Sequence, residues 1–280
     1  MEAAPEPVAF EVDDEAAQGQ PTPRPATEAV DTHCHLFLME EDPAEIVERA
    51  KDAGVGRLVC VGIDHHSSRR SLELAEAFRG VFATAGMHPH SASDFDREAG
   101  AAIEELLADP MVVAVGETGL DYYRKFSPAE DQQRVFRSHI ALSRETDKPL
   151  VVHVREAWED AMAILEEEGA TRVILHCFSG DQAVADEAVR RGYFLSFAGN
   201  ITYPGAEDLL RVASGVRSGH VLAETDSPFL APQRIRGKPN TPTSVLSVIE
   251  ALAQARGGVD PLEVTAETTV AALEAIPLLL

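Results

Sequence analysis

The chain has 280 residues, of which 45% are hydrophobic, and 24 Lys and Arg against 47 Asp and Glu give it a formal charge of −23. This length and apolar content predict a globular protein with one large buried core. The negative charge argues against a protein that coats duplex DNA regardless of sequence, because such proteins attract phosphates through a broad basic surface.

The start of the chain shows no basic stretch followed by an apolar core, and no apolar run approaches the roughly 18 residues that span a bilayer. We therefore expect no signal peptide and no membrane contact, and no segment indicates a protein partner. The three cysteines, Cys34, Cys60 and Cys177, lie in apolar segments. An odd number of such residues is typical of reduced, buried thiols, which predicts a cytoplasmic protein.

Residues 1–28 are rich in Pro, Ala and acidic side chains and lack hydrophobic periodicity, which predicts a disordered acidic tail. Over residues 29–280, short apolar runs alternate with helical patterns, so we expect one domain there. Continuous apolar runs are typical of strands buried on both faces of a parallel sheet. The runs lie at 29–36, 57–63, 81–87, 111–117, 150–154, 172–178, 192–197 and 219–225.

Three helix starts are predicted from an N-cap residue followed by Pro, with Glu at the third helical position. They are Asp42-Pro43, Ser127-Pro128 and Asp260-Pro261. Eight strands that alternate with helices predict an α/β fold, a single-domain (β/α)8 TIM barrel whose active residues lie at the carboxyl ends of the strands. A doubly wound open sheet is the alternative, but no glycine-rich phosphate loop follows the first strand.

Polar residues interrupt or follow the apolar runs on five predicted strands. His33 and His35 end the first strand, and their i, i+2 spacing places both imidazoles on one face, with Cys34 on the other. Glu117 ends the fourth run, where a buried carboxylate is costly unless it is paired or bound to metal. His153 and His176 lie on the fifth and sixth runs, and Asp226 follows the eighth.

Any one of these residues alone is compatible with a hydrogen-bonded core or a helix cap, but four histidines and two carboxylates converge on one rim. Imidazole and carboxylate ligands suit Zn, Mn, Fe or Mg rather than a metal that prefers sulfur. Six ligands exceed what one catalytic zinc needs, so the set predicts two ions about 3.5–4 Å apart.

The sequence resembles the TatD family of metal-dependent hydrolases and deoxyribonucleases, which belongs to the amidohydrolase-like barrels. The matching motifs occur in family order and cover nearly all of the chain after residue 28. They are D-T-H-C-H-L (31–36), G-M-H-P-H (86–90), G-E-T-G-L-D-Y-Y (116–123), P-L-V-V-H-V-R (149–155), H-C-F-S-G (176–180) and E-T-D-S-P-F-L (224–230). Two departures are the segment 236–242, which matches the family only in part, and Val270, where the family often has Asn.

The resemblance implies two divalent ions, Mg, Mn or Zn, as cofactors. It implies that His33 and His35 bind one ion and that His153 and His176 help to bind the other. Glu117 would bridge the two ions as a catalytic ligand. Asp226 would bind metal and carry the proton.

Substrate contacts are expected from His88 after the third strand, from Arg155 and from Ser179. For Arg155 a structural ion pair is an equal alternative, and Ser179 opens a loop before a helix whose backbone N–H groups suit an anion. Asp121 is expected to face substrate or to hold a ligand histidine. His65 and His66 are interpreted as a solvated helix start rather than a second metal site.

The resemblance implies a phosphodiesterase, specifically a deoxyribonuclease that acts at DNA ends or on single-stranded DNA, with water activated by metal. Nothing in the sequence separates this chemistry from ester or amide hydrolysis, for example by a deacylase of aminoacyl-tRNA. A third hypothesis is a metal-binding scaffold without activity.

Overall fold

Eight parallel strands form one sheet in sequence order in the computed structural model, which describes residues 27–280. The predicted disordered tail lies outside the described residues, apart from its last two positions. Each strand pairs in parallel with the next. The strands are β1 Ala29–Cys34, β2 Val55–Val61, β3 Val81–Ala85, β4 Val112–Asp121, β5 Leu150–Arg155, β6 Val173–Leu175, β7 Phe194–Phe197 and β8 Val221–Ala223.

The sheet returns to β1 just after β8. Cys34 forms a parallel bridge with Ser227, and the His35 N–H donates to the Ser227 carbonyl at 2.7 Å. The Asp226 N–H donates to the His33 carbonyl at 2.9 Å. The predicted barrel is therefore confirmed, and the open sheet is excluded.

Helices follow the strands around the outside of the barrel. They are α1 Pro43–Asp52, α2 His65–Ala77, α3 Arg97–Leu107, α4 Ala129–Thr146, α5 Trp158–Glu167, α6 Gln182–Arg190, α7 Glu207–Gly215, α8 Val245–Ala255 and α9 Pro261–Ala275. Among the described residues, no helix combines the length and the apolar character needed to cross a membrane.

Two of the three predicted helix starts are confirmed. The Asp42 carboxylate accepts from the Ala44 N–H at 2.9 Å, and the Asp260 carboxylate accepts from the Leu262 N–H at 2.9 Å. The predicted helix start with Ser127 as N-cap is wrong, because Pro128 is extended and α4 begins one residue later than predicted. The Ser127 hydroxyl instead donates to the His90 carbonyl at 2.9 Å, so it joins two loops.

The core has two layers. One lies between the strands and the surrounding helices, and the other fills the barrel interior with mainly branched side chains, as is usual for this fold. The interior layer includes Val30, Val59, Val61, Val113, Ile174 and Leu222.

Helix α9 closes one end of the barrel by packing Ala271, Ala272 and Ala275 against the interior layer. The Thr269 hydroxyl donates to the Glu28 carbonyl at 3.0 Å, immediately before β1. The amino ends of the strands are thereby covered, so the carboxyl ends form the accessible mouth.

The register shifts within β1, between Asp31 and Cys34, and within β4, between Val115 and Thr118. Such irregularities redirect side chains and are frequent beside active sites. Gly116 lies in the second shift with φ 114°, and a Cβ there would collide with the Val151 carbonyl. Only glycine therefore fits the position before Glu117.

His139 on α4 is fully buried beneath the segment that follows β3. Its Nε2 accepts from the Met87 N–H at 3.0 Å, and its Nδ1 donates to the Val135 carbonyl at 2.9 Å. Burial lowers the pKa of this imidazole to about 4. A neutral His139 thus anchors the segment that carries His88.

The cysteines are unpaired, and Cys34 and Cys60 are buried as predicted. Cys177 is only partly buried, because it lies in the open loop after β6.

Candidate metal centre

The six predicted ligands lie together at the mouth of the barrel. His33 and His153 lie on β1 and β5, and His35 and His176 directly follow β1 and β6. Asp226 follows β8. Glu117 lies inside β4 rather than at its end as predicted, because the strand continues past the register shift to Asp121.

Glu117 stands at the centre, and its two oxygens face different imidazoles. Oε2 lies 3.3 Å from His33 Nε2 and 4.0 Å from His35 Nε2. Oε1 lies 3.0 Å from His176 Nε2 and 3.2 Å from His153 Nδ1. The carboxylate therefore divides the histidines into two pairs.

Two three-residue sets that share Glu117 bring their donor atoms within 4.8 Å of one another: His33, His35 and Glu117, and His88, Glu117 and His153. His88 Nε2 lies 3.4 Å from Glu117 Oε1. The structure thus places His88 inside the cluster, whereas the sequence suggested only a rim residue that contacts substrate.

Asp226 completes the His33–His35 side, with Oδ1 3.4 Å from His35 Nε2 and 3.9 Å from His33 Nε2. Its side chain is 15% exposed, against 4% for Glu117. Asp226 also has φ 52°, a left-handed conformation that is uncommon for residues other than glycine and concentrates at functional sites. Asp226 is therefore the carboxylate that faces the open side of the cluster.

Unsatisfied nitrogens of His33 indicate that these residues fit a metal ion. Both ring nitrogens of His33 are buried and have no hydrogen-bond partner among the described residues. A buried polar atom without a partner costs about 1–3 kcal/mol. A divalent cation would satisfy the His33 ring nitrogen that faces Glu117 and Asp226, and imidazole with carboxylate is a donor set that Zn and Mn accept.

The cluster balances its own charges. Burial would raise the pKa of the Glu117 carboxyl, but His176, His88 and His33 hold that pKa well below its usual range. Burial would lower the pKa of His176, but Glu117 and Glu224 raise it well above the ordinary imidazole value. A protonated imidazole among buried carboxylates thus supplies the positive charge that a bound cation would supply, so metal binding should release protons.

A second layer of acceptors orients the imidazoles. His35 Nδ1 donates to the Val61 carbonyl at 2.8 Å, and His176 Nδ1 donates to Glu224 Oε1 at 3.0 Å. Asp121 Oδ2 lies 3.4 Å from His153 Nε2 and 2.8 Å from His90 Nε2. Asp121 therefore contacts a histidine of the cluster, one of its two expected roles. Such acceptors fix the ring tautomer and orientation.

Two supporting carboxylates were missed from the sequence. Glu224 precedes Asp226 by two residues, and Asp31 precedes His33 by two, so the i, i+2 spacing that identified the histidine pair was a usable signal. Asp31 is fully buried and accepts from the Thr225 N–H at 2.9 Å and the Thr225 hydroxyl at 2.6 Å. It thereby ties β1 to the segment that carries Asp226.

The remaining predicted contacts lie around the mouth. The Arg155 guanidinium lies 4.0 Å above the Tyr123 ring, and no ion pair to it is found within residues 27–280. Ser179 is exposed and lines a cleft of about 770 Å³ between the loops after β6 and β7. The start of α6 is capped by the Asp181 carboxylate, which accepts from the Val184 N–H at 3.0 Å, so that helix end already has an anion.

His65 and His66 begin α2, with their rings 3.9 Å apart. Neither belongs to a group of potential metal ligands among the described residues. Their interpretation as a helix start agrees with this placement.

Comparisons with known proteins agree with this architecture. The family model for TatD-related DNases matches residues 30–276. The uncharacterized metal-dependent hydrolase YabD of Bacillus subtilis is 42% identical over 228 residues, which cover 80% of this chain and 89% of the relative. A protein of Shigella flexneri named 3'-5' ssDNA/RNA exonuclease TatD is 34% identical over 225 residues, 78% of this chain and 86% of the relative.

Among solved structures, YJJV, a TatD homolog from Escherichia coli, superposes with a TM-score of 0.84 at 27% identity and covers 89% of this chain and 98% of its own. The match of the family model across nearly all described residues, together with these relatives, settles the family. The chain belongs to the TatD-related DNase family and is a metal-dependent hydrolase.

Proposed function

We propose that this protein hydrolyses phosphodiester bonds at DNA ends or in single-stranded DNA with the help of two divalent ions, Mg, Mn or Zn. The observation that carries the proposal is the division of the histidines by the two oxygens of Glu117. A carboxylate that faces two separate sets of nitrogens is suited to bridge two ions, and paired ions are typical of phosphodiester hydrolysis.

In this proposal His33, His35 and Asp226 hold one ion. His153 and His176 hold the other, with His88 either as a further ligand or as a contact to the substrate. Glu117 would help to hold both ions, and the distances from its oxygens to four of these histidines are 3.0–4.0 Å.

Bound divalent ions would supply Lewis acidity and lower the pKa of a water molecule toward about 7. Asp226, the more exposed of the two central carboxylates, accepts the proton of the attacking water and passes it to the leaving oxygen. Glu117 and Asp121 keep the imidazoles in place during this transfer, since both contact His153. Arg155 and Ser179 would contact flanking phosphates.

Two observations support the proposed substrate. A relative named as a 3'-5' ssDNA/RNA exonuclease supports a strand end as substrate. The cluster lies at the bottom of a mouth framed by loops, which an unpaired end enters more readily than the middle of a duplex. The three unpaired cysteines support a cytoplasmic location.

The test compares metal content and hydrolysis in matched variants. Protein purified without chelator should contain about two ions per chain and cleave bis(4-nitrophenyl) phosphate and a single-stranded oligonucleotide. His33→Ala with His35→Ala should lose metal and activity, because it removes two of the proposed ligands, and circular dichroism checks that the variant is folded. The control is His65→Ala with His66→Ala, which removes two imidazoles outside the cluster.

Full metal occupancy in the His33/His35 double variant would refute the ligand assignment. Turnover of an aryl ester without turnover of either phosphodiester would refute the proposed chemistry.

A further inference from the structure

Three exposed aromatic rings frame the metal centre. Phe126 is 66% exposed and Tyr123 is 52% exposed, and both lie in the loop between β4 and α4. Phe229, 53% exposed, lies in the segment after β8. A single exposed aromatic residue is unremarkable. Three at the mouth of a predicted nucleic-acid site call for an explanation.

Two of these rings end a continuous row of ring contacts through the cluster. Phe126 meets His90 edge to face at a centroid distance of 4.8 Å, and Phe229 meets His35 in the same way at 5.9 Å. Between them the row passes through His90, His88, His153, His176, His33 and His35, with centroid distances of 3.8–5.7 Å. Phe126 follows β4 and Phe229 follows β8, which face each other across an eight-stranded barrel, so the two phenyl rings lie on opposite sides of the nitrogens that surround Glu117.

We infer that Phe126 and Phe229 are stacking platforms for the unpaired nucleobases on either side of the cleaved phosphodiester bond. This inference rests on the proposed function, which places that phosphate between the two rings. Every nucleobase offers an aromatic face, so such platforms hold a strand without selecting its sequence. Bases inside a duplex are stacked on one another and cannot use them.

Two arginines at the mouth carry the phosphates of the same strand. Arg155 lies over Tyr123 at 4.0 Å, and Arg236 lies over Tyr203 at 4.2 Å. Neither guanidinium has a carboxylate partner within the described part of the chain, unlike Arg234, which pairs with Glu250 at 3.4 Å. A guanidinium held flat on a ring keeps its N–H groups available for phosphate oxygens.

The overall negative charge explains why both stacking and arginine contacts are needed to bind the strand. With a net charge of −23 the protein repels a polyanion at long range, so a few arginines cannot provide affinity alone. Stacking does not depend on net charge, and it contributes to single-strand binding wherever aromatic side chains face the strand. The aromatic rings at the mouth therefore supply affinity for the strand that the negatively charged surface does not provide.

The test uses two single-stranded oligothymidylates that are identical except that one lacks the bases of its two 3'-terminal nucleotides. Phe126→Ala and Phe229→Ala should each raise KM for the base-bearing strand by roughly 5- to 100-fold and change kcat less. Phe126→Trp and Phe229→Trp should restore KM. The control is Leu262→Ala, which removes an exposed side chain on α9, at the closed end of the barrel.

On the strand without terminal bases, wild type and the alanine variants should have similar, high KM values. Equal KM for both strands in wild type, or equal losses on both strands in the variants, would overturn the inference. Binding of the two strands, followed by fluorescence anisotropy, measures base recognition without cleavage. Absence of cleavage by the metal-loaded wild type, with base-dependent binding intact, would refute the proposed function and leave the platforms supported.

Discussion

Replacing Glu224 separates metal positioning from fold stability. Glu224 is fully buried, and its Oε1 accepts from His176 Nδ1 at 3.0 Å and from the Cys177 N–H at 2.8 Å. Its Oε2 has no hydrogen-bond partner among residues 27–280. Glu224→Gln keeps one oxygen for both donors but removes the charge behind His176. Glu224→Ala removes both acceptors.

The two substitutions differ in expected size. Loss of an outer carboxylate behind a ligand histidine typically weakens metal binding by about 10- to 100-fold, so Glu224→Gln should lose roughly that factor. In Glu224→Ala, two buried donors lose their acceptor at about 1–3 kcal/mol each. Its free energy of unfolding should therefore fall by roughly 2–6 kcal/mol in addition to the loss of metal affinity.

Metal affinity is measured by competition with a chromophoric chelator, and stability by urea unfolding of the metal-free protein. Glu250→Gln is the matched control, because Glu250 is exposed and its one ion pair within the described residues is with Arg234 at the surface. It should leave metal affinity unchanged and stability within about 1 kcal/mol of wild type. Wild-type metal affinity in Glu224→Gln would refute the positioning role, and a Glu224→Ala variant as stable as Glu224→Gln would refute the hydrogen-bond argument.

Three further predictions concern the proton, the pH and the salt. Asp226→Asn keeps an oxygen ligand but removes the base, so phosphodiester turnover should fall at least about 10²-fold while metal loss stays partial; a near-native rate would exclude Asp226 as the proton acceptor. The folded-state pKa of His139, about 4, lies below the unfolded value near 6.5, so only the unfolded chain gains a proton between these pH values. His139 should therefore account for a loss of about 2–4 kcal/mol of unfolding free energy as pH falls through this window, so urea titrations of His139→Gln should show a loss smaller than that of wild type by this amount. Finally, Arg155 and Arg236 are the main proposed phosphate contacts. The slope of log K against log salt for single-stranded DNA should therefore correspond to about two to four neutralised phosphates, and a much steeper slope would reveal an unrecognised basic surface.

The positions of the ligands followed from hydrophobic pattern. Continuous apolar runs identified every strand. A single histidine in such a run, such as His153 or His176, is compatible with a hydrogen-bonded core, and it was the convergence of several polar residues on one rim that indicated a site. The family motifs then added roles that spacing alone does not supply, such as a bridging position for Glu117. Those roles remain predictions.

What the sequence could not reveal depends on three-dimensional contacts. The register shift that places Glu117 inside β4 lies where Gly116 packs closely against the Val151 carbonyl of β5. A contact between two strands is not visible in the local sequence pattern. Ser127 had the expected capping sequence, but its hydroxyl oxygen accepts from the Ser93 N–H at 3.1 Å, in another part of the chain, instead of from the helix. Phe126 and Phe229 looked like ordinary loop residues until the fold placed them on either side of the histidines.

The closed end of the barrel has a consequence for how products leave. Helix α9 and the packed interior fill the barrel from below, so within the described residues the mouth is the route to the cluster. For the proposed strand-end substrate, the DNA strand cannot pass through the barrel. Each released nucleotide must therefore leave through the same opening by which the strand entered. Release of the nucleotide and binding of the next strand end therefore compete for one opening. This competition favours a distributive enzyme that is inhibited by its own mononucleotide product.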